Sequence, residues 1–566
     1  MGKSRKWGRC ILSFVLEAGM SSASIPVYVA PLDGGSGSGE SNAKLPEIQT
    51  VTSIDFSTME NLDSLPEGWK ISNGLGSSEL VDEAEGKALK LTRSGDEGET
   101  SLVNNSLGID ESEYRYVTID TRIKMGAEDY AKQFSIPYIQ DKNGTTSYTL
   151  YTDGDWTQYK SHVNGKNVLE AGTLKKGEWQ NVSMDIDMKT DTFRVSVDGE
   201  YLLAGVNARQ ATDSLQTIKY YADSWNRGTM YLQSVEVTAQ KERTESAAFY
   251  VSNSGDDSAD GQTSETAWQT VERVNKEHFI PGDQILFECG GKWENQTLQP
   301  QGNGSKEARI VIGDYGEGEL PRIAVNGKMK DALYLCNQQY WEISGLDISN
   351  TVEGFTMVSD GIPTGNVTER QDDPDKLLGE YRGIHIAGRD VPSLKGFRIH
   401  DLKIHDVTGV VSWIGDTGLR DPGIMNNAGL DGAKRTGGIL IECLSPTGKQ
   451  ATQFSDIVIE DNSFINNSFG AVTIKQWNGS GNQYGENPGW ANRNGSGGAP
   501  DYVDGNWKPH SNIIIQDNYI NQGASAYACN GIYLTSSRDS LIQRNVLENI
   551  GTCGIELYFT DNVAVQ

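Results

Sequence analysis

Apolar and polar residues alternate in short runs that recur through the C-terminal half of the chain. One set of runs reads ALYLC (from residue 332), GIHIA (383), GILIE (438), AVTIK (471), GIYLT (531) and GIELY (554). A second run follows each of the first five: YWEISGLDIS, FRIHDLKIH, IVIEDNSFI, IIIQDNYIN and LIQRNVLEN. Alternation with a period of two predicts strands with one buried face. Their repetition predicts a solenoid, in which the closest copies are 23 residues apart.

The repeat also predicts which side chains point out of the solenoid. If the apolar residue that opens each first run faces inward, the residue after it faces outward. The first outward column is then Tyr334, His385, Leu440, Thr473, Tyr533 and Glu556, and the second is Cys336, Ala387, Glu442, Lys475, Thr535 and Tyr558. Turns of a solenoid lie about 4.8 Å apart, so Glu442 and Lys475 are predicted to be neighbours on the outer face. In the second runs one column holds Leu346, Leu402, Asn462, Asn518 and Asn545, which predicts a ladder of stacked asparagines.

The N-terminal half has a different pattern, with alternating strands separated by turns from about residue 50 to 240. These strands are ALKLTRSG, YRYVTIDTRIK, TSYTLYTDG, WQNVSMDIDM, DTFRVSVDGEYLL and MYLQSVEVTA, and they predict a two-sheet sandwich. The segment GEWQNVSMDIDMKTDTFRVSVDGEYLLAG resembles the hairpin of a concanavalin-type jelly roll, which implies a carbohydrate-binding type of domain over 50–240. Its aromatic residues form either a sugar-stacking surface or part of the core: Trp156, Tyr201, Tyr220, Tyr221 and Trp225.

The start of the solenoid carries a more specific resemblance. The chain reads FYVSNSGDDSADGQTSETAWQTVERVN and then FIPGDQILFECGGKW. This order resembles the N-terminal cap and first turns of secreted right-handed parallel β-helix proteins, among them polysaccharide lyases and glycoside hydrolases that degrade plant or algal cell walls. The resemblance covers 246–566 and implies an all-β fold, a β-sandwich (jelly roll) followed by a right-handed parallel β-helix. The resembling proteins continue for several more turns, so we expect this chain to be a fragment truncated at its C-terminus.

Charge and the N-terminus narrow the functional classes. The net charge is −28, with no basic stripe for nucleic acid. Residues 1–31 contain a basic region, a short apolar run and small residues near Ala30, which predict a bacterial type of signal peptide and therefore secretion. Residues 32–49 are a Gly/Ser-rich linker. No other stretch has the ~20 consecutive apolar residues that would span a membrane.

Two long segments interrupt the repeat on either side of the Glu442 and Lys475 turns. Aligned residues are 33 apart across these two turns, but 55 apart before them and 60 apart after them. The additional residues fall in 410–436 and 478–510. Long loops on a rigid scaffold often carry function, so they predict a sugar-binding cleft. The predicted substrate-binding residues are His385, Trp413, Trp477, Trp490, Trp507 and Tyr533.

Glycoside hydrolysis needs two carboxylates, about 5–5.5 Å apart for retention or about 6.5–9.5 Å apart for inversion. Glu442 and Glu556 are three turns apart, near ~14 Å, which is too far. A partner for Glu442 would come from the loops, where the candidates are Asp416, Asp421 and Asp431 in one segment and Glu486, Asp501 and Asp504 in the other. The predicted catalytic residues are therefore Glu442, Lys475, Asp416, Asp421 and Glu556.

A polysaccharide lyase is the alternative enzyme. Lys475 would act as the base, and acidic residues would hold a Ca²⁺ ion that bridges to a uronate, although the metal ligands are not identified. On so acidic a chain an anionic substrate would need such a metal, which favours hydrolysis without any cofactor. His400 and His405 are each followed by an aspartate, and with His385 they are predicted to cluster, in either a catalytic or a local structural role.

These observations predict a secreted enzyme that degrades polysaccharide, with hydrolysis favoured over elimination. A non-catalytic surface protein that adheres to glycans is the alternative from another class. Polysaccharide is the expected partner in each case.

Overall fold

The computed structural model describes residues 45–74, 76–93, 99–126, 134–153, 158–165, 167–222, 228–353, 381–409, 434–447, 450–477, 507–525 and 528–566. Strands dominate this part of the chain, as predicted. The helical elements within these described ranges are α1 (Val271–Lys276) and two 3-10 turns, Phe56–Thr58 and Ser264–Thr266. The predicted signal peptide and most of the predicted linker lie outside the described residues.

Two antiparallel sheets form the N-terminal sandwich, and strands are numbered in chain order. Sheet A has the order β14–β13–β12–β7–β17–β4–β3, with β1 also paired to β17. Its strands are β1 (Gln49–Asp55), β3 (Ser77–Glu83), β4 (Gly86–Arg93), β7 (Tyr116–Met125), β12 (Trp179–Asp187), β13 (Thr192–Val197), β14 (Glu200–Asn207) and β17 (Gly228–Gln240). Sheet B has the order β11–β10–β9–β8–β16–β5–β2. Its strands are β2 (Trp69–Ser72), β5 (Thr100–Asn104), β8 (Phe134–Gln140), β9 (Thr146–Asp153), β10 (Gln158–Val163), β11 (Asn167–Thr173) and β16 (Thr217–Ala222). The short strands β6 (Ile109–Asp110) and β15 (Ser214–Leu215) pair with each other.

Alternation in the sandwich strands places every second side chain in the core between sheets A and B. In β12, for example, Val182, Met184 and Ile186 are almost fully buried, and polar residues between them face the other way. Two of the aromatic residues considered for sugar stacking are not free for it. Tyr220 is fully buried against Thr121, and Arg194 lies over the ring of Tyr201. Trp156 and Trp225 lie outside the described residues.

Three parallel sheets form the solenoid, and each turn of the chain passes from sheet C to sheet D and then to sheet E. Sheet C consists of β18 (Ala248–Val251), β20 (Gln284–Glu288), β23 (Ile310–Tyr315), β26 (Trp341–Ile343), β29 (Ser393–His400), β32 (Gln453–Glu460), β35 (His510–Gln516), β38 (Ser537–Gln543) and β41 (Asp561–Val565). Sheet D consists of β21 (Lys292–Glu294), β24 (Arg322–Ala324), β27 (Asp347–Ser349), β30 (Lys403–His405), β33 (Ser463–Ile465), β36 (Tyr519–Asn521) and β39 (Val546–Glu548). Sheet E consists of β25 (Asp331–Cys336), β28 (Arg382–Gly388), β31 (Gly437–Cys443), β34 (Val472–Lys475), β37 (Asn530–Thr535) and β40 (Cys553–Tyr558). Near the start of the solenoid β19 (His278–Phe279) pairs with β22 (Gln301–Gly302).

The six first runs of the repeat are the six strands of sheet E, in the predicted register. The inward column is continuous from Leu333 through Ile384, Ile439, Val472 and Ile532 to Ile555. The first five of these side chains are fully buried, and Ile555 packs on the same core from the last turn of the sheet. Apolar residues at this spacing therefore build the core of the solenoid.

The second runs are each divided between two sheets, a division that their alternating pattern does not predict. In FRIHDLKIH the chain leaves sheet C at His400 and enters sheet D at Lys403. Asp401 between them has a φ of 53°, the left-handed region that turns the chain sharply and that aspartate tolerates better than most residues. Asp461 and Asp517 occupy the same corner in the next turns, with φ values of 55° and 56°.

The predicted asparagine ladder follows these corners directly. Asn462 Oδ1 accepts the backbone N–H of Leu402, and Asn518 Oδ1 accepts the N–H of Asn462, each at 3.1 Å. Asn545 Oδ1 accepts the N–H of Asn518 in the same way. Each asparagine side chain also donates to a backbone carbonyl of the preceding turn, such as Ile459 O for Asn518 Nδ2, at 3.0 Å. The ladder thus satisfies backbone groups at a corner where no β-ladder can do so.

The sandwich packs on the outer face of the first turns of sheet E. Ala204 of β14 is buried against Cys336 and Ala387. Gly205 approaches so closely that an added Cβ would lie 2.9 Å from Cys336 O. The side chain of Asn337 holds the contact by donating to Gly205 O at 2.5 Å and to Arg389 O at 2.9 Å. The sandwich therefore covers one end of the face on which the chemistry was predicted.

Candidate active site

Glu442 and Lys475 are paired neighbours on sheet E, as the column assignment predicts. Their strands β31 and β34 place them opposite each other in register. Lys475 Nζ lies 3.9 Å from Glu442 Oε2. Although both side chains point out of the solenoid, Glu442 is only 2% exposed and Lys475 only 3%. The pair is therefore buried, where charges act much more strongly on each other than they do in water.

Two further groups hold the Glu442 carboxylate. Arg435 Nε donates to both oxygens, at 2.8 and 3.1 Å, and His385 Nε2 lies 3.0 Å from Oε1. Burial alone would raise the pKa of Glu442. The charge of Arg435, the hydrogen bond from His385 and the charge of Lys475 outweigh burial and hold this pKa well below its usual value. Glu442 is therefore a carboxylate rather than a carboxylic acid at neutral pH.

His385 connects Glu442 to a second buried carboxylate, Asp331. His385 Nδ1 lies 3.3 Å from Asp331 Oδ2, and the ring stacks on Tyr334 with centroids 4.8 Å apart. Asp331 also forms an ion pair with Arg382, the residue beside it in sheet E. Burial raises the pKa of Asp331, but the charges of Arg382 and His385 lower it by more, so Asp331 is ionised too. His385, which was predicted to bind substrate, is buried and links the two carboxylates.

A second group of charged residues lies further along the same face. Lys434 Nζ lies 3.5 Å from Glu556 Oε1, and Asn530 Nδ2 donates to Glu556 Oε2 at 2.6 Å. The same ammonium group lies 3.8 Å from the ring centroid of Tyr533. Tyr533 was predicted to bind substrate, but it is fully buried with this cation over its face. The side chain of Glu556 is 33% exposed, more than that of Glu442, the other predicted catalytic acid within the described residues.

Lys434 and Arg435 were not predicted, although they connect the two groups. They are adjacent in the chain, and Arg435 binds Glu442 while Lys434 binds Glu556. Asp331 and Arg382 were also missed. A signal was present for these two, because each charged residue stands directly before an aligned run, ALYLC or GIHIA. Lys434 and Arg435 precede the run GGILIE, but this position does not predict a contact with Glu556.

The remaining predicted residues are divided between described and undescribed parts of the chain. Trp477 and Trp507 are half-buried at the ends of the segment that leaves sheet E after Lys475 and returns to sheet C. The others lie outside the described residues: Asp416, Asp421, Asp431, Trp413, Glu486, Trp490, Asp501 and Asp504. The predicted loop partner for Glu442 therefore stays a prediction.

The three histidines do not form one cluster. His385 is on sheet E, whereas His400 ends β29 on sheet C and His405 ends β30 on sheet D. The aspartate after each of the latter does orient the ring, with Nδ1–Oδ2 distances of 2.7 Å for His400 and 2.6 Å for His405. The other nitrogen of each ring faces Glu342 or Asp347 of the preceding turn. His400 and His405 are thus bonded to residues of their own and the preceding turn, which agrees with the alternative of a local structural role.

His510 anchors the backbone of Lys475. Its Nδ1 accepts the N–H of Phe454 at 3.0 Å, and its Nε2 donates to the carbonyl of Lys475 at 2.9 Å. One nitrogen accepts and the other donates, so the ring is held neutral. Burial lowers the pKa of His510 from 6.5 to about 4. Protonation would put a second donor against the N–H of Phe454, and acid should therefore weaken the support of Lys475.

We expect this histidine to make the protein less stable in acid. Between pH 6.5 and 4 the unfolded chain binds a proton that the folded ring does not, so the free energy of unfolding falls as the pH falls. From the size of the shift, wild type should lose about 3 kcal/mol more than His510→Leu between pH 7 and pH 4. Urea unfolding at a series of pH values measures this difference.

His400→Leu is the matched control, because it should change the pH dependence in the opposite sense. Burial lowers the pKa of His400, but the hydrogen bonds that the ring donates to Glu342 and Asp401 raise it by more. Its contribution to stability is present below pH 6.5 and lost as the pH rises through the higher folded value. Parallel pH profiles for wild type and His510→Leu would contradict the assignment of a neutral His510.

Within the described residues, no group of three or more His, Cys, Asp or Glu side chains is arranged to hold a metal ion. The same residues include no helix with the length and apolar character needed to cross a membrane.

Comparisons with known proteins give distant similarities. No protein-family model and no curated protein matches the chain. Among solved structures, a GH136 lacto-N-biosidase from Eubacterium ramulus aligns over 56% of this chain and 55% of its own, with 21% identity and a TM-score of 0.41. An endo-1,3-beta-glucanase from Streptomyces sioyaensis aligns over 34% of this chain and 97% of its own, with 10% identity and a TM-score of 0.27. This chain thus aligns with about half the length of the biosidase.

Proposed function

We propose that the protein is a secreted carbohydrate-active enzyme, a glycoside hydrolase whose active site lies on the outer face of sheet E around Glu442. One observation carries the proposal. Glu442 is a buried carboxylate with a lowered pKa, held by Arg435 and His385 beside Lys475. Such a group is costly to bury, and charged groups with perturbed pKa values concentrate at functional sites.

The chemistry of glycoside hydrolysis gives this carboxylate a role. The transition state resembles an oxocarbenium ion, and an ionised carboxylate can stabilise that positive charge or attack the anomeric carbon. A medium of low dielectric strengthens either effect. The lowered pKa makes Glu442 unsuitable as the general acid at neutral pH. That proton would come from a second carboxyl group, for which Asp416 and Asp421 are the candidates. Hydrolysis of this kind needs no cofactor.

Polysaccharide elimination is the second candidate function, and the positive charge of the site supports it. Across this face, the described residues include four cations (Arg382, Lys434, Arg435 and Lys475) and three carboxylates (Asp331, Glu442 and Glu556). The local charge is thus slightly positive on a chain whose net charge is −28. Resident cations could neutralise a uronate, so an anionic substrate does not depend on a bound Ca²⁺. In that reaction Lys475 would be the base.

Incubation of the full chain with a panel of neutral and uronic-acid polysaccharides, with and without EDTA, tests these functions. A hydrolase releases reducing ends without new absorbance, whereas a lyase produces an unsaturated sugar that absorbs near ~235 nm. Binding without release of products would mean an adhesin instead of an enzyme. Release of reducing ends in EDTA without absorbance is the expected result, and failure to cleave any member of the panel would contradict the proposal.

A further inference from the structure

A polar cleft lies between the sandwich and the first turns of the solenoid, away from Glu442. Its volume is about 340 Å³, at the lower end of the ~300–1,000 Å³ typical of small-molecule sites. Sandwich strands β7, β13 and β14 contribute one wall, and residues 278–281, 299, 301–303 and 336–338 contribute the other. Cys336 at its edge stands two strands before Glu442 in the same outward column, roughly 10 Å along the sheet.

The charged residues of this cleft are paired within the protein. Arg115 forms a two-bond contact with Asp187, at 3.1 and 2.8 Å, and an ion pair with Glu242. Arg194 pairs with Asp185 at 2.7 Å and also donates to the carbonyl of Gln299. Because these pairs neutralise one another, the cleft presents little net charge to a ligand. An anionic or cationic ligand would have to break an existing ion pair to find a partner.

Two glutamine side chains line this cleft. Gln299 is only 3% exposed. Gln301 Nε2 is buried and has no hydrogen-bond partner among the described residues. A buried amide nitrogen without a partner costs roughly 1–3 kcal/mol, so Gln301 has a donor available to a ligand. Neighbouring Gln338, by contrast, bonds through both side-chain atoms to Gly302 N and Pro300 O, each at 3.0 Å.

Apolar surface completes the cleft. Phe279, Ile280 and Pro281 line it beside the glutamines, and Tyr116 stacks on His278 at its sandwich wall with ring centroids 3.7 Å apart. Sugars combine apolar C–H faces with many hydroxyl groups that both donate and accept. Neutral amides beside an apolar floor match that combination, since an amide can donate to one hydroxyl and accept from another.

We propose that this cleft binds a neutral short glycan, with Gln299 and Gln301 as its hydrogen-bonding residues. It is an accessory site built jointly by the sandwich and the solenoid, separate from the face around Glu442. The proposal does not depend on which reaction that face catalyses, because its residues take no part in the network of Glu442, Arg435 and Lys475.

Binding of neutral disaccharides to the full chain tests the proposal. Lactose, cellobiose, xylobiose and N,N′-diacetylchitobiose would be compared with digalacturonate by saturation-transfer NMR and calorimetry. We expect at least one neutral disaccharide to bind, and Gln299→Leu and Gln301→Leu each to weaken its binding about tenfold, the value of one good hydrogen bond. Gln301→Leu should unfold at the same or a higher urea concentration, since it removes a buried donor that the fold leaves unsatisfied.

Two control variants keep the result specific. Gln284→Ala removes an exposed glutamine of β20 outside the cleft, and Lys475→Ala alters the proposed active site; both should bind the disaccharide as wild type does. The proposal is overturned if no neutral disaccharide binds, if both leucine variants bind normally, or if Lys475→Ala loses the binding instead. Preferential binding of digalacturonate would overturn the assignment of a neutral ligand.

Discussion

We expect Glu442→Gln to lower kcat about 10²- to 10⁴-fold on the best polysaccharide of the panel, the range typical of removing a catalytic carboxylate. The substitution keeps the size and hydrogen-bonding shape of the side chain but removes the charge that a positive transition state requires. The KM should change little, because the lost interaction belongs to the transition state rather than to bound substrate. Initial-rate measurements of reducing-end release provide both constants.

Lys475→Ala then separates the two reactions. In a hydrolase Lys475 supports Glu442 from 3.9 Å, so its loss should reduce kcat by less than the loss of Glu442 does. In a lyase Lys475 is the base, and the order of the two effects reverses. Glu460→Gln is the matched control, because this carboxylate pairs with Arg398 on sheet C and should leave kcat unchanged. Full activity in both Glu442→Gln and Lys475→Ala would show that the active site lies elsewhere.

We expect Asn518→Ala to lower the free energy of unfolding by about 2–4 kcal/mol. Asn518 is 1% exposed, and its Oδ1 accepts from both the backbone N–H and the side-chain amide of Asn462. Alanine leaves both buried donors without that acceptor, and the carbonyl of Ile459 loses a donor as well. Each such group costs roughly 1–3 kcal/mol when its partner is removed, and relaxation of the corner recovers part of the sum. Urea unfolding followed by circular dichroism measures the change.

Asn181→Ala in the sandwich is the control for this substitution. Its side chain is exposed and accepts from Arg122, so the expected loss is below ~1 kcal/mol. Equal losses for Asn518→Ala and Asn181→Ala would mean that the ladder adds no more than a surface contact. A decrease confined to Asn518→Ala would identify the ladder as a principal source of stability at the corner between sheets C and D.

The sheet that carries the candidate site was predictable because its pattern is local. A small residue followed by alternating apolar residues fixes both the strand and its inward face, so the register from Leu333 to Ile555 follows directly. The corner at Asp401 was not predictable from alternation. The residues on both sides of it continue the period of two, and only the left-handed φ divides them between sheets.

The candidate site was predictable in part for a similar reason. Glu442 and Lys475 are neighbours because their strands are neighbours, and the repeat gives that relation. Their burial depends on contacts that no repeat encodes, such as that of Arg435 with Glu442 across the entrance to β31. The covering of the adjacent turns by Ala204 joins residues more than a hundred positions apart. The accessory cleft is formed by residues from both halves of the chain, and neither half has a sequence pattern that predicts it.

The close approach of Gly205 to Cys336 limits which sandwich domains can be joined to this solenoid. With a φ of 57° and only 2.9 Å between a built Cβ and the facing carbonyl, this position excludes any larger residue unless the backbone shifts. A sandwich from another protein, joined to this solenoid near residue 240, would bring an arbitrary side chain to that point. The chimera would expose Ala387 and Cys336, and it would also lack one wall of the accessory cleft. We therefore expect the two halves to be exchangeable between related proteins only as a pair.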